Sequence, residues 1–539
     1  MSRHIRFLAA LIVVAASLPA RADTYFLDKS AGAWAKELSD LKPEVRRGAA
    51  FALGKCGLAN TVPALVGALS DPDAGVRDAA AYALGEIAAE RKDPALWGQA
   101  GAALRKMLRE EKDSRACRSA ACAVGNFGPD AAEAGPELEK ALGHTDALVR
   151  QNAAWAMGRL KDKAGASGVG KLGQALRDDD PVVRRDAAAA LGEVGQPAAG
   201  PAIRALIESI GREKEAAVRS VAVGSLVSLV GPKDKEVAAD LSGLLKADDR
   251  EVRRGAALAL ANIGGADAKA AVPVLLDALR DDDATARELA AAALAKMGEA
   301  AAEAVPALGK ALSDRSPLVR RNAALALTRV GPEAAKVFRP LVRALDPEEP
   351  PEVRLFAARA IFRARSDVSE IVPDLLAVLK AERNQDVRQC VALCFGHVPP
   401  REFERTGLTK EMEKILDETA PESVLVRYDA ARVLAHVLTD KAPPKAVEVL
   451  TENLHNKGLK VHQGSDASVR RGDESVKSGT AVTENYAGDA RYMPAQALAA
   501  IAASGKRKDA LDALKKAADS TDEVTKKVAQ DALKEIRQR

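Results

Sequence analysis

Small and large apolar residues recur along this chain at a fixed helical spacing. In PVVRRDAAAALGEV, residues 181–194, Arg184 is followed by Ala187, Ala188 and Ala190 at +3, +4 and +6, by Leu191 at +7 and by Gly192 at +8. Residues three, four and seven apart share one face of a helix, so the pattern predicts a helix with a small-residue seam beside a bulky apolar one. Counted from the same arginine, it returns at Arg46, Arg77, Arg150, Arg219, Arg253, Arg287, Arg320, Arg354, Arg388, Arg427 and Arg491. Cys117 takes the anchor place in one copy and Lys526 in a weaker last one. Most anchors stand 33–35 residues apart.

Between these anchor helices lies a second apolar pattern: TVPALVGAL at 61–69, AVPVLLDAL at 271–279, AVPALGKAL at 304–312 and IVPDLLAVL at 371–379. Each repeat therefore predicts two antiparallel helices. One pair cannot bury its own apolar faces, so successive pairs must stack into a continuous core. The expectation is an all-α solenoid of about fourteen stacked helix pairs over residues 23–454 and 491–539, ending in the polar stretch STDEVTKKVAQDALKEIRQR as a cap. Acidic turns such as Asp178-Asp179-Asp180-Pro181 and Asp281-Asp282-Asp283 precede the anchor helices. Carboxylates there cap orphan amides and suit the positive end of the helix dipole; no D-x-D-x-D-G loop follows that would hold calcium.

The acidic turn, the V-R and A-A-x-A-L-G run and the V-P-x-L partner helix together resemble HEAT repeats of the short bacterial, lyase-HEAT-like type, named after the phycobilisome chromophore lyases. The resemblance covers roughly residues 30–539 with one interruption. It implies that the anchor arginines hold adjacent layers together as structural residues, and that the anchor helices line a concave surface. Cys117 breaks the pattern, with Arg118 one place on.

Aromatic residues make up only 3% of the chain, which suits helices built from Ala and Leu. The first 22 residues read as a secretory leader: Arg3 and Arg6, an apolar run from Phe7 to Leu18, then Pro19 and Ala20-Arg21-Ala22, with cleavage expected near Ala22. Twelve apolar residues are too few to span a bilayer, and no later run is long enough, so no transmembrane segment is expected after cleavage. Loss of the leader removes Arg3, Arg6 and Arg21 and lowers the formal charge from +4 to +1. A near-neutral exported chain has no field to gather nucleic acid. The five cysteines form no disulfide framework.

Function should lie where the repeat varies. The most variable slot of the anchor helix is +5, which shares a face with +1 and +9. The first layers place Arg47-Phe51-Lys55, Asp78-Tyr82-Glu86, Arg118-Cys122-Asn126 and Gln151-Trp155-Arg159 there. Aromatic rings beside cations are the residues enriched in peptide-binding hot spots, so Arg47, Phe51, Tyr82, Arg118, Trp155 and Arg159 are the candidate binding strip. A second irregularity is the 64-residue gap from Arg427 to Arg491, which predicts a polar insert over residues 455–490 with His455, His462, Arg470, Arg471 and Tyr486 as candidate contacts. The third is QCVALCFGH, where Cys390, Cys394 and His397 fall on one stripe of a helix and form a weak candidate for a soft metal.

Enzyme signatures are missing. The lyases named above act on cytosolic proteins. A HEAT-repeat di-iron hydroxylase, deoxyhypusine hydroxylase, draws its ligands from His-Glu pairs, and here the histidines precede Ile5, Thr145, Val398, Val437, Asn456 and Gln463. Haem-attachment, zinc-protease, nucleophile-elbow and P-loop motifs are equally lacking. The sequence thus points to an exported scaffold that binds protein or peptide partners, with no cofactor. The alternative is a lyase-like or oxidoreductase-type enzyme or accessory subunit using the insert or the Cys/His stripe.

Overall fold

A computed structural model of the chain describes residues 25–420, 423–456, 491–503 and 505–538. The leader and His462, Arg470, Arg471 and Tyr486 of the insert lie outside them. Two compact units divide the chain, residues 1–263 and 264–539. Both are stacks of helix pairs; among the described residues the one sheet is a hairpin of two-residue strands, Tyr25–Phe26 and Lys29–Ser30. No helix among the described residues is long and apolar enough to cross a membrane.

In the first unit the anchor helices are Pro43–Cys56, Ala74–Arg91, Ser114–Phe127, Ala147–Arg159, Pro181–Val194, Ala216–Leu229 and Arg250–Ile263. Each packs on the next and on its own partner helix. The second unit repeats the arrangement with Ala284–Met297, Pro317–Val330, Pro351–Arg363, Gln385–Cys394, Val424–Leu438, Tyr492–Ala502 and Glu523–Gln538. The alanines at +3, +4 and +6 are closed to solvent, as in Ala49, Ala50 and Ala52 at 0–1% exposure.

The small-residue seam has a direct cause. Glycine at +8 of one anchor helix meets the +6 residue of the next so closely that the backbones touch. A Cβ added to Gly54 would lie 2.8 Å from the Ala83 Cα; Gly85 approaches Ala123, Gly125 approaches Ala156 and Gly158 approaches Ala190 at 3.0, 3.0 and 2.7 Å. Any larger residue at either place would push the helices apart.

The acidic turns divide their labour. In Asp178-Asp179-Asp180, the Asp180 carboxylate caps the following helix by accepting from the Val182 and Val183 amides at 2.7 and 3.3 Å. Arg184 Nη1 donates to the carbonyls of Asp178 and Asp179 at 2.8 and 3.0 Å. The Asp178 carboxylate instead receives the arginine of the previous layer: Arg150 Nε and Nη2 donate to its two oxygens, both at 2.7 Å. The resulting ladder of Arg–carboxylate pairs, most of them two-pronged, links Arg46 to Asp71, Arg77 to Glu111, Arg184 to Glu213 and Arg219 to Asp249 in the first unit. In the second it links Arg287 to Asp314, Arg320 to Glu349, Arg354 to Glu382 and Arg388 to Glu418. Arg491 reaches Asp522 at 2.6 Å, Arg427 sits 3.7 Å from Glu452, and Arg253 holds the carbonyls of Ala247 and Asp248. The Arg hydrogen bonds hold Asp71, Glu111, Glu213 and Asp314 below the ordinary carboxylate range.

Cys117 interrupts the ladder, and its receiving position is changed too. His144 stands where the other turns carry the acceptor acid, and its Nδ1 accepts the Asp146 amide at 3.0 Å. The cross-layer charge link moves to the partner helices there, where Arg109 and Arg105 reach buried Glu137 at 2.5 and 3.3 Å.

Candidate functional site

Phe51 and Tyr82, at +5 of successive layers, are 42% and 37% exposed although the alanines flanking them are closed off. Their rings stack with centroids 6.1 Å apart and planes within 11°. Phe26 of the hairpin meets Phe51 edge-on at 6.4 Å, and Trp34 Nε1 fixes that strand by donating to the Phe26 carbonyl at 3.0 Å. Lys55 Nζ stands 5.5 Å from both stacked rings and bridges to Glu86 at 2.5 Å. Burial opposes its charge, but the hydrogen bond and charge of Glu86 outweigh that, so the ammonium persists. Burial likewise raises the Tyr82 phenol, which stays neutral. The outcome is a fixed aromatic shelf with a cation at its rim, flanked by exposed Tyr25 and Leu27.

The shelf does not continue into Trp155. Cys122 fills +5 of the intervening layer, and the Trp155 ring lies over Gly125, where an added Cβ would be 2.3 Å from Cζ3. Trp155 is half-buried, packed over the +8 glycine of the previous layer. The +1 slots are also partly used internally: Ser119 Oγ donates to Asp78 at 2.6 Å, and Gln151 Nε2 to Asp186 at 2.9 Å. Arg47 extends across the gap toward Gly75, Arg118 is half-buried, and Arg159 Nη1 stands 4.0 Å from Glu193 while its buried Nε has no hydrogen-bond partner. The structure thus brings together Phe51, Tyr82 and Lys55. It adds Phe26, which the sequence pattern does not flag because Phe26 precedes the first repeat.

The weak metal candidate Cys390, Cys394 and His397 is not brought together as a ligand cluster. The anchor helix Gln385–Cys394 ends at Cys394, and a 3-10 turn over Phe395–His397 takes His397 off the stripe. Cys394 is fully buried with its Sγ–H directed at the carbonyls of Cys390 and Ala358. The Nε2 of His397 lies 2.9 Å from the Phe362 carbonyl. Burial pushes the Cys390 thiol up to about 11 and raises Cys394 well above the ordinary thiol value, so neither supplies a thiolate at neutral pH. No group of three or more potential ligands clusters among the described residues. His455 is exposed at the end of the helix Pro444–Leu454.

The family described as HEAT repeats matches residues 32–123, 135–227, 203–295 and 272–361. No curated protein matches the chain. Among solved structures it is similar to an engineered protein, at 26% identity over 70% of this chain and 99% of that one, with a TM-score of 0.49. A homology model of the full-length AP-3 complex in an intermediate open conformation aligns at 14% identity over 91% and 94%, TM-score 0.48. Importin beta aligns at 14% over 94% and 78%, TM-score 0.42. With its repeat match spanning more than half of the sequence, and with the Arg–acid ladder and touching helix seams repeating layer by layer, the chain belongs to the HEAT-repeat family.

Proposed function

We propose that this protein is an exported interaction scaffold whose anchor helices present one face to a protein or peptide partner, with the shelf of Phe26, Phe51, Tyr82 and Lys55 as the first anchoring point. The observation that carries the reading is the stacked pair at 42% and 37% exposure, held open on helices that the ladder and the glycine seam make rigid. Rigid, exposed aromatics beside a cation bind with little loss of side-chain freedom. Export rests on the leader composition of residues 1–22. The repeat spacing and the V-P-x-L helices favour the short bacterial, lyase-like subtype, used here without a catalytic role. The near-neutral mature charge argues for protein rather than nucleic acid as the partner.

The test is a crosslinking capture from the native envelope fraction with the mature chain, beside a Phe51→Ala/Tyr82→Ala variant and a Trp155→Phe control. A defined partner should be captured by the parent and the control and lost by the shelf variant, with all three melting alike. Equal capture by parent and shelf variant sinks the shelf as anchor. Terminal sequencing of the envelope protein should begin at Asp23; a chain that keeps Met1 in the cytosol refutes export.

A further inference from the structure

The second unit contains a cleft of about 680 Å³ that none of the roles above uses. It follows the same variable face of the repeat. Leu393, Arg432 and Gln496 are the +5 residues of three successive layers, and His397, His436 and Ala500 are their +9 residues. Between these polar positions the walls are apolar, from Phe362, Val433, Met493 and Ala497.

Arg432 is held at one corner. Its Nη1 donates to Asp429 Oδ1 at 2.8 Å, and the guanidinium carbon stands 5.6 Å from the centroid of the buried Tyr428 ring. Asp429 is 3% exposed and its other oxygen accepts from Gln389 Nε2 at 2.5 Å, so its capacity is taken up inside the protein. Among the described residues, Nε and Nη2 of Arg432 make no hydrogen bond, and the side chain keeps 33% exposure in the lining of the cleft. That Nε–Nη2 edge is the one that Arg150 gives to Asp178 and Arg184 to Glu213. The acid of the lining, Glu535, belongs to the helix Glu523–Gln538. That helix packs on Tyr492–Ala502, which in turn packs on the Arg432 helix. Glu535 thus belongs to the second layer beyond Arg432, and the charges that act on the guanidinium are those of Asp429 and Tyr428.

We propose that this cleft binds a carboxylate joined to an apolar body, the carboxylate on the Nε–Nη2 edge of Arg432 and the apolar part along Leu393, Val433 and Met493. The source of that chemistry is either a free small acid or the C-terminus of a peptide. The site lies in a different unit from the Phe51–Tyr82 shelf, so it stands or falls independently of it.

Titration calorimetry on the mature chain tests it with four probes: N-acetyl-leucine, its amide, an acetylated tripeptide ending in leucine, and that tripeptide amidated. Each acid should bind saturably, and each amide about tenfold more weakly, as expected for loss of one charge-assisted pair. Arg432→Gln, and Ala500→Trp, which fills the cleft without touching the Arg432–Asp429 pair, should both lose at least that factor while Ala500→Trp melts as the parent does. Equal affinity for the two leucine acids identifies a small-acid site; tighter binding of the tripeptide identifies a peptide end. Amides binding as well as acids, no saturation at millimolar acid, or full affinity in a folded Ala500→Trp variant would overturn the proposal.

Discussion

Replacing Gly158 with alanine should destabilise this protein, although the same change in a helix ordinarily stabilises. The added Cβ would lie 2.7 Å from the Ala190 Cα, 2.9 Å from its Cβ and 3.3 Å from its carbonyl oxygen, all of them parts of the neighbouring helix that cannot turn aside. Overpacking of this kind costs about 1–3 kcal/mol. Alanine recovers up to about 1 kcal/mol of helix propensity, and less here because Gly158 is the last residue but one of Ala147–Arg159. The net expectation is a loss of about 1–2 kcal/mol. Gly224 provides the control, since it lies inside Ala216–Leu229 with nothing within 4 Å of an added methyl, so Gly224→Ala should gain about 0.5–1 kcal/mol. Urea midpoints give the sign. Hydrogen exchange gives the place, because repeat stability is a sum over neighbours and the loss should concentrate in residues 147–159 and 181–194. If Gly158→Ala raises the midpoint as Gly224→Ala does, the claim that the helices touch at this seam is wrong.

Removing one partner of the ladder should cost more than removing both. Arg184→Met leaves the Glu213 side chain at 4% exposure without its cation, so about 3 kcal/mol should be lost in urea melts, and Arg184→Met/Glu213→Met should recover part of it. The pH profile follows from the same pairs: carboxylates held below their ordinary range bind fewer protons when folded. Their stabilisation is therefore complete above the ordinary carboxylate pKa of about 4 and is lost as pH falls through the depressed values. Melting temperature should be level from neutral pH to about pH 5 and fall steeply below about pH 4; a level profile down to pH 3 contradicts the ladder. Restoring the missing rung with Cys117→Arg and His144→Asp should show favourable coupling of about 1–2 kcal/mol in a double-mutant cycle, whereas simple additivity would mean the two positions do not meet. Burial lifts the Cys117 and Cys390 thiols to about 11, so both should alkylate far more slowly at pH 8 in the folded chain than in urea; equal rates would reject the buried placement.

The repeat was legible because it rests on spacing. Ala at +3, +4 and +6 and Leu at +7 mark one helical face, and that face is the buried one. Capping by Asp180 and Asp283 was equally readable, since an acid before a helix has one main use. Sequence could not show that Asp178, the first aspartate of its triplet, serves the previous layer, because its partner Arg150 is 28 residues away. Nor could it separate Tyr82 from Trp155. Both are aromatics at +5 that follow a layer with glycine at +8; they differ in the +5 residue of that layer, Phe51 stacked on Tyr82 but Cys122 before Trp155. His397 fell off its stripe because the helix ends at Cys394, a boundary that periodicity does not mark. The Arg432 cleft escaped notice because its residues come from repeats that look ordinary one at a time.

These failures share a cause that bears on where such a chain can carry function. The ladder uses the anchor arginine and one turn acid; the seam uses +3, +4, +6 and +8. What remains least constrained is +5, with +1 and +9 beside it, and both the Phe51–Tyr82 shelf and the Arg432 cleft occupy those slots in separate units. Layer-to-layer rigidity comes mainly from the other positions, so an exposed +5 side chain such as Tyr82 can change with little penalty to stacking, whereas Trp155, packed over Gly125, cannot. Arg432 illustrates the division: its Nη1 is anchored by Asp429 inside its own helix, so its free edge is held in place without borrowing the ladder. Substitutions at exposed +5 positions such as Phe51 and Tyr82 should therefore alter binding with small effects on melting, while those at +6 or +8 should do the reverse.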